Sequence, residues 1–205
     1  MIIIRNLESE LVKLPPERIV LAMGNFDGLH LGHQAVIGRA VDIAREKQYR
    51  SAVLTFVQHP RSILSPKTPP LLLMPPEEKV RRIGQMGVDV LIHLDFTPRL
   101  AALSAQEFVT RVIHDKLQVV QIVVGEEFHF GNDRKGTPDL LREMGGRLGF
   151  TVTFIPQVRL GDKTISSTYI RQLLSEGKVR QAAVLLNRDY EILGRVVKGQ
   201  GRGKQ

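Results

Sequence analysis

The stretch GNFDGLHLGH, residues 24–33, sets two histidines three positions apart and threads three glycines through ten residues. It follows directly on the apolar run IVLAM, Ile19–Met23, which is typical of a strand buried on both faces. Gly24 and Gly28 allow the backbone to bend and to approach a ligand closely, because glycine has no Cβ. We therefore expect a turn between this strand and a helix that begins near Leu31.

Strand-like and helix-like patterns alternate along the rest of the chain. Short runs of apolar and β-branched residues predict strands at 51–57, 88–94, 119–125 and 151–156. Apolar residues at a helical period predict helices at 31–48, 76–86, 167–177 and 179–187, and two more that begin at residues 104 and 137. Such alternation implies a parallel sheet covered by helices on both faces. Ligands bind such sheets beyond the carboxyl ends of the strands, where residues 24–33 lie.

Two local signals support the predicted helix starts, and a proline-rich segment separates two of the predicted elements. Ser104 and Glu107 stand at capping-box spacing, so each can satisfy a free amide at a helix start. Thr137 is expected to cap a helix whose first residue is Pro138. Residues 58–76 contain six prolines, so we predict a semi-rigid flap with no helix between the second strand and the helix at Pro76.

Composition and charge exclude several classes of protein. The chain has no cysteine, which rules out disulfides and thiolate metal sites, and no apolar run of the ~18 residues that a membrane span needs. We therefore expect a cytoplasmic protein without a membrane partner. The net charge is +8, but +4 of it lies in the last fourteen residues, and tryptophan is absent. Without a basic helix with interleaved aromatics, we expect no nucleic-acid partner.

The turn itself suits an anion. Gly32 and His33 are expected in the first helical turn, where unpaired amides and the helix dipole favour negative charge, and His30 stands just before it. Two imidazoles beside such a site are suited to holding a phosphate group during transfer. A metal site remains an alternative, although no third ligand is apparent nearby, and so does a purely structural loop.

Four ordered motifs resemble one known family. GNFDGLHLGH resembles the signature of HxGH-type nucleotidylyltransferases. The other three resemble segments of the FMN adenylyltransferase half of prokaryotic FAD synthetase, the bifunctional riboflavin kinase/FMN adenylyltransferase: TFVQHP (55–60), VGEEFHFGNDRKGTPDLL (124–141) and ISSTYIRQLLSEGKVRQAAVLL (165–186). The resemblance implies a Rossmann-like, doubly wound parallel sheet. It also implies two domains, an adenylyltransferase at 1–187 and, at 188–205, a linker with the first strand of a β-barrel kinase.

Departures from the family pattern are few. Glu127 stands where the family more often has Asp or Asn, and Asn187 replaces a commoner glycine. The tail EILGRVVKGQGRGKQ (191–205) matches only the start of the kinase, so we expect this chain not to phosphorylate riboflavin. Three alternatives stay open: another HxGH-type transferase, a non-catalytic flavin-binding domain, and a nucleic-acid-binding protein that uses the basic tail.

The reaction implied by the resemblance joins FMN and ATP to give FAD and pyrophosphate. The FMN phosphate attacks the α-phosphorus of ATP in line, and because it is already ionised, no strong base is needed. The resemblance implies catalytic roles for His30, His33 and Arg171, with Arg171 reaching the β- and γ-phosphates. Mg²⁺ is expected with the nucleotide, and Asp27 is the one acid of the motif that is a possible ligand, although a structural role is equally open.

The resemblance also implies two substrate sites. We expect the ATP site to use backbone groups of the turn and of the 124–125 strand end, together with the start of the 167–177 helix. The predicted ATP-binding residues are Gly24, Asn25, Phe26, Gly28, Gly32, Val124, Gly125, Ser166, Ser167 and Thr168. The flavin needs a flat, mostly apolar slot. The predicted flavin-binding residues are Phe56, His59, Pro60, Arg61, Phe128, Phe130 and Arg134.

Overall fold

The computed structural model describes residues 1–5 and 18–197 of the chain. The six strands of its main sheet are β1 (Ile2–Ile4), β2 (Ile19–Met23), β3 (Arg50–Phe56), β4 (Val90–Leu94), β5 (Val119–Gly125) and β6 (Thr151–Ile155). Their order is β1-β4-β3-β2-β5-β6, and every neighbouring pair is parallel. A separate antiparallel hairpin joins β7 (Arg159–Leu160) and β8 (Lys163–Thr164).

Helices connect most of these strands. They are α1 (Leu31–Lys47), α2 (Pro60–Leu64), α3 (Pro76–Gln85), α4 (Pro98–Ala101), α5 (Ala105–Glu107), α6 (Pro138–Leu148), α7 (Ser167–Ser175) and α8 (Val179–Leu186). A π-helix, Phe108–Lys116, continues α5, and a short 3₁₀-helix spans Asn132–Arg134. Both bonds of the predicted capping box at Ser104 and Glu107 are present, and Thr137 caps α6 as predicted.

The strand order places its switch point at β2. The chain runs outward from β2 to β3 and β4 and then returns to the other side of β2 with β5. Residues of α1 and α3 pack on one face of the sheet, and residues of the π-helix and α6 pack on the other. The predicted doubly wound, Rossmann-like α/β fold is therefore confirmed, and the turn that follows β2 lies at the edge where such folds bind ligands.

A third apolar cluster links the C-terminal helices to the carboxyl edge of the sheet. Its buried members come from α7, from α8, from the flap and from the position two residues before α7, and they are Leu73, Ile165, Ile170, Leu173, Ala182, Leu185 and Leu186. Leu31, at the start of α1, packs against the same cluster. The cluster therefore fixes the beginning of α7 beside the beginning of α1.

Three features differ from the sequence-based expectations. The proline-rich segment was predicted to contain no helix, and this prediction is wrong because α2 begins at Pro60. Proline is tolerated at the first helical position, since the backbone N–H that it lacks would have no hydrogen-bond partner within the helix. Strand β1 was not predicted, because three residues carry no periodic signal and its partner β4 is remote in the chain. The π-helical segment was expected as part of an ordinary helix, since apolar spacing does not distinguish the two hydrogen-bond patterns.

The C-terminal segment contains no strand in its described part, residues 188–197. An isolated strand has no ladder partner to accept its hydrogen bonds, which is the physical reason for this difference from the predicted kinase strand. The rest of the predicted strand and of the basic tail, residues 198–205, lies outside the described residues. The division of the chain at residue 187 stays a prediction.

Candidate functional site

The turn after β2 has an unusual backbone. Phe26 and Leu29 adopt positive φ angles of 49° and 43°, and Gly28 adopts 82°. Positive φ costs a residue with a side chain of the order of 1 kcal/mol, so surrounding contacts must hold this conformation. Gly28 could not be replaced without strain, because a Cβ there would lie 2.7 Å from Cδ1 of Leu73. Strained turns of this kind are typical of binding sites.

Two side chains hold the front of the turn through one carbonyl. The carbonyl oxygen of Asn25 accepts a hydrogen bond from Thr55 Oγ1 at 3.0 Å and another from Lys79 Nζ at 3.1 Å. Thr55 belongs to β3, and Lys79 belongs to α3. The first peptide of the turn is thus fixed by two neighbouring elements.

Two further side chains hold the back of the turn. Arg188 donates to the carbonyl of Gly28 at 2.8 Å and to that of Leu186 at 3.1 Å. Gln34 donates to the carbonyls of Leu29, at 2.8 Å, and of Leu186, at 3.0 Å. The end of α8 therefore braces the second half of the turn.

The carbonyl groups of residues 25–30 accept hydrogen bonds, whereas several amide N–H groups of the turn have no partner among the described residues. Within the described part of the chain, the amide N–H groups of residues 25–28 donate to no protein acceptor. The same holds for Leu31 and Gly32 in the first turn of α1. Free amides next to a helix N-terminus form a site for an anion, since their partial charges and the helix dipole both favour negative charge.

The N-terminus of α7 meets that of α1 at this turn. The hydroxyl of Ser167 donates to the carbonyl of Asp27 at 2.9 Å. A Cβ on Gly32 would lie 3.9 Å from the carbonyl oxygen of Ile165, which shows how closely the two helix starts approach. Ser166 caps α7 through its hydroxyl, while Thr168 is exposed. Two helix dipoles therefore converge on one edge of the sheet.

His30 and His33 lie against each other in this site. Their rings are stacked with centroids 3.6 Å apart, and His33 also meets Phe26 edge to face at 5.3 Å. His30 is the N-cap of α1, and its Nδ1 accepts from the amide of His33 at 3.4 Å. Because Nδ1 is the acceptor, the proton of neutral His30 resides on Nε2, which is then a donor. Nδ1 of His33 is buried and has no hydrogen-bond partner among the described residues.

Both imidazoles are neutral near neutral pH. Burial, assisted by the charge of Arg188, lowers the pKa of His30 from 6.5 to about 4. Burial also lowers the pKa of His33, with smaller contributions from His30 and Lys79. Each ring can therefore donate one N–H to a phosphate without carrying a charge of its own, and positive charge is left to the neighbouring cations.

Arg171 and Asp27 form a clamp at the side of the turn. The guanidinium Nη2 lies 2.5 Å from Asp27 Oδ2, and Nε donates to the carbonyl of Leu71 at 2.6 Å. The two carboxylate oxygens of Asp27, which is buried, also accept from the amide of Leu73, at 3.0 and 3.2 Å. The pair therefore ties α7 and the flap to the turn.

This geometry bears on the predicted metal. The oxygens of Asp27 face an arginine and an amide, which are donors, rather than an open position. No cluster of three or more His, Cys, Asp or Glu side chains that could hold a metal ion occurs in residues 1–5 and 18–197. The contacts of Asp27 are therefore those of a structural acceptor.

The predicted flavin residues lie at the same edge of the sheet in two groups. In the first, Phe56 ends β3 and meets Phe96 edge to face at 5.0 Å, while His59 caps α2, which begins with Pro60 and Arg61. Phe56 packs against the apolar cluster on the face of the sheet that the π-helix and α6 cover, as does Phe128, and Phe130 is a buried member of that cluster.

The second group follows β5. Phe128 and Phe130 stack with centroids 5.6 Å apart, and Arg134 is exposed in the 3₁₀-helix. At the end of β5, a Cβ on Gly125 would meet no atom within 4 Å, so the backbone there is open to a ligand, whereas Val124 is fully buried. The accessible backbone at this strand end is therefore that of Gly125.

The comparisons with known proteins agree with this geometry. The family model described as FAD synthetase matches residues 13–169. The chain belongs to the FAD synthetase family. It is 40% identical to a bifunctional riboflavin kinase/FMN adenylyltransferase of Pseudomonas fluorescens over 98% of this chain and 65% of that protein. It is also 40% identical to the protein of that name in Bacillus subtilis, over 95% of this chain and 61% of that protein.

A solved structure resembles the chain over nearly all its length. It is titled a macrolide-efflux protein from Streptococcus pneumoniae and is 34% identical, with a TM-score of 0.85 over 99% of this chain and 65% of that one. The chain thus spans less than two thirds of the length of these relatives, between 61% and 65%. Among the helices of residues 1–5 and 18–197, none combines the length with the apolar character that a membrane span requires.

The structure accounts for one of the two departures from the FAD synthetase pattern. Asn187 is the C-cap of α8 in the left-handed conformation, with φ 55°. Asparagine is the residue other than glycine that adopts this conformation most readily, so the replacement preserves the cap. Glu127 is exposed, and its carbonyl oxygen lies 2.8 Å from Nδ1 of His129.

Sequence reasoning missed Lys79 and Arg188 as parts of the site. Lys79 was placed in a predicted helix and treated as an ordinary helical residue, yet it is 6% exposed and reaches the turn. Arg188 lies after the last predicted helix and 160 positions from its partner Gly28. Neither residue has a local signal, because both reach the turn from remote parts of the chain.

Proposed function

We propose that the chain is an FMN adenylyltransferase, which makes FAD and pyrophosphate from FMN and ATP. The observation that carries this proposal is the convergence of two helix N-termini, free turn amides and two imidazoles at the switch point of the sheet. Such a site holds several phosphate groups at once. The names of the relatives support the choice of flavin substrates.

The proposed reaction is a single in-line displacement. A phosphate oxygen of FMN attacks the α-phosphorus of ATP, a new O–P bond forms, and the bond between the α-phosphorus and the bridging oxygen to the β-phosphate breaks. The electron pair of that bond leaves with pyrophosphate. Because the attacking phosphate is already ionised, the protein contributes positioning and charge stabilisation rather than a strong base.

We assign these tasks to the predicted residues as follows. The amides of residues 25–28 and the first turns of α1 and α7 hold phosphate oxygens, and His30 and His33 donate N–H groups to the transferring and leaving phosphates. The bonds to Leu71 and Asp27 occupy only some of the N–H groups of Arg171. We assign the remaining N–H groups, at Nη1 and Nη2, to the β- and γ-phosphates. Thr168 is exposed at the start of α7, where its hydroxyl is free to contact a phosphate.

The remaining predicted residues define the two ends of the substrates. We assign the adenine to backbone groups around Val124 and Gly125, where the strand end is open. We assign the flavin ring to the edge between the group at Phe56 and the group at Phe128, because both line the same apolar face.

Mg²⁺, the cellular location and the absence of a nucleic-acid partner remain proposals. Since the described side chains form no metal cluster, we propose that Mg²⁺ arrives with the nucleotide, held mainly by phosphate oxygens and water. No described basic patch with interleaved aromatics supports nucleic-acid binding. The cytoplasmic location stays a prediction from the sequence.

The test is direct. The purified chain is incubated with ATP, Mg²⁺ and FMN, and the products are separated by chromatography. We expect FAD and pyrophosphate in equal amounts, and no adenylylated product when pantetheine phosphate or nicotinate mononucleotide replaces FMN. Adenylylation of one of those substrates without FAD formation would instead make the chain a different HxGH-type transferase, and no transfer at all would leave a binding domain.

A further inference from the structure

Lys79 is a buried cation with backbone partners. Only 6% of its surface is exposed, and its Nζ donates to the carbonyl oxygens of Asn25 at 3.1 Å and Phe56 at 2.8 Å. Asn25 follows β2 and Phe56 ends β3, so one ammonium group bridges the carboxyl ends of two neighbouring strands. Burying a charge is unfavourable unless its interactions offset the loss of hydration, so the presence of Lys79 here calls for a physical reason.

The bridge fixes the direction of an amide in the turn. A trans peptide is planar, so the carbonyl of Asn25 and the amide of Phe26 point in opposite directions. Lys79 and Thr55 both hold that carbonyl, and the Phe26 amide is therefore turned away from them. This amide is one of the free donors of the turn, and the orientation of such a donor decides its contribution to a transition state.

We propose that Lys79 is a positioning residue for adenylyl transfer. By binding both carbonyls, it holds the phosphate-binding turn and the start of the flap at a fixed separation, and so aligns the FMN phosphate with the α-phosphorus of ATP. This inference rests on the proposed function, in which the turn serves ATP and Phe56 lies at the flavin end. Alignment is sensitive to such a bridge, because a misplacement of about 1 Å can cost on the order of 100-fold in rate.

The charge of Lys79 allows a second test of the proposal, through the pH dependence of the reaction. The charged and titratable groups that face it are Asp27 in the turn, His33 in α1, His59 at the start of α2 and His93 in β4. Burial lowers the pKa of Lys79 to about 8, against the opposing effect of Asp27. The pKa values of the three histidines are also lowered, mainly by burial, so these groups do not change charge above pH 7.

The experiment compares Lys79→Met, which removes both hydrogen bonds, with Lys79→Gln, which keeps an uncharged donor on a shorter side chain. We expect kcat to fall on the order of 100-fold in Lys79→Met and less in Lys79→Gln. Binding of FMN and of a non-hydrolysable ATP analogue, each measured alone by calorimetry, should change less than about threefold, as should the KM values. The matched control is Lys47→Met, since Lys47 bonds Gln121 near the opposite end of the sheet and should retain wild-type kcat.

A pH profile completes the test. In the wild type, kcat/KM should decrease as the pH rises through about 8, because Lys79 loses the proton that strengthens its two hydrogen bonds. In Lys79→Gln this decrease should be absent, and that variant carries the test if Lys79→Met does not fold.

Two results would overturn the proposal: a folded Lys79 variant with wild-type kcat and pH profile, or a loss of kcat matched by equal losses of both binding affinities. If the wild-type chain makes no FAD, the proposed function itself fails, and the role of Lys79 fails with it. Because that result is seen in the wild type, it is distinct from a failure confined to the variants.

Discussion

His30 and His33 each combine a structural contact with a predicted phosphate contact. His30 caps α1, and the two rings stack on each other, so an alanine at either position removes packing as well as an N–H donor. Their lowered pKa values assign them to hydrogen-bond donation in neutral form rather than to charge neutralisation. Substitutions of these two histidines must therefore distinguish the loss of a structural contact from the loss of an N–H donor.

Replacing either histidine with alanine should mainly slow turnover. A donor aimed at developing charge is worth roughly 3 kcal/mol, so His30→Ala and His33→Ala should each lower kcat on the order of 100-fold or more. His30→Asn should restore the helix cap, because asparagine is a favoured N-cap, and recover part of the rate with its amide donor. FAD formation and melting temperature are measured together. Wild-type turnover in folded His33→Ala would remove this residue from the mechanism.

The ligand-free protein should lose stability in mild acid. The pKa of His30 is about 4 in the folded chain and near 6.5 when unfolded. Between these two pH values the unfolded state binds more protons, so stability falls as the pH drops from 6.5 to 4, by up to about 3 kcal/mol from this group. Urea unfolding at several pH values should show a shallower decrease in His30→Asn. A decrease in His30→Asn as steep as that of the wild type would show that His30 does not carry this pH dependence.

At the scale of elements, the ion pair between Asp27 and Arg171 joins the turn, the flap and α7. The same carboxylate accepts from the amide of Leu73, and the same guanidinium donates to the carbonyl of Leu71. The flap is therefore anchored near its C-terminal end by the two residues that the sequence assigned to metal and phosphate binding. This anchoring gives the acid of the turn a structural task that does not depend on the proposed phosphate binding.

Breaking this pair should loosen the flap. Asp27→Asn removes the charge that faces Arg171 in a mostly buried setting, and we expect a loss of about 3 kcal/mol in unfolding free energy. Lys67 is exposed in the flap, so trypsin should cleave after it faster in the variant than in the wild type. Asp139→Asn breaks an exposed pair with Arg142 in α6 and should change neither quantity. Unchanged cleavage at Lys67 in Asp27→Asn would show that the clamp does not hold the flap.

At the scale of the whole molecule, the fold brings cations from remote segments of the chain to one edge of the sheet. The chain carries a net charge of +8, and its described cations at the site reach the turn from α3, from α7 and from the segment after α8. This arrangement suits a compact polyphosphate rather than a long duplex, because the cations surround a turn instead of forming a stripe.

Stabilisation of the chain by ligands tests whether these cations bind a nucleotide rather than a nucleic acid. ATP with Mg²⁺ at about 100 times its Kd should stabilise the chain by about 2.7 kcal/mol, which raises the melting temperature by roughly 5–10 °C in a chain of this size. FMN should act similarly, whereas duplex DNA at matched phosphate concentration should produce no shift at 150 mM salt. A DNA-induced shift that disappears as salt increases would favour nucleic-acid binding over the nucleotide proposal.

The sequence by itself determined the α/β class, five of the six strands of the main sheet, the helix caps at Ser104 and Thr137, and the position of the turn that we propose for phosphate binding. These features are local: apolar periodicity, cap residues and glycine positions act within one turn or one strand. The expected substrates came from the resemblance to the FAD synthetase family, because the four motifs match side chains of that family at the same spacing. Helix starts were also predictable because a cap is satisfied by residues three positions apart.

Only the tertiary structure decided what the side chains around that turn do. Asp27 and Arg171 bind each other, both histidines are neutral, and Lys79 and Arg188 hold the strained backbone. These outcomes depend on burial and on contacts between residues 50 to 160 positions apart, which no local pattern encodes. The pairing of β1 with β4 has the same origin, because a three-residue strand is stabilised by its neighbour rather than by its own sequence.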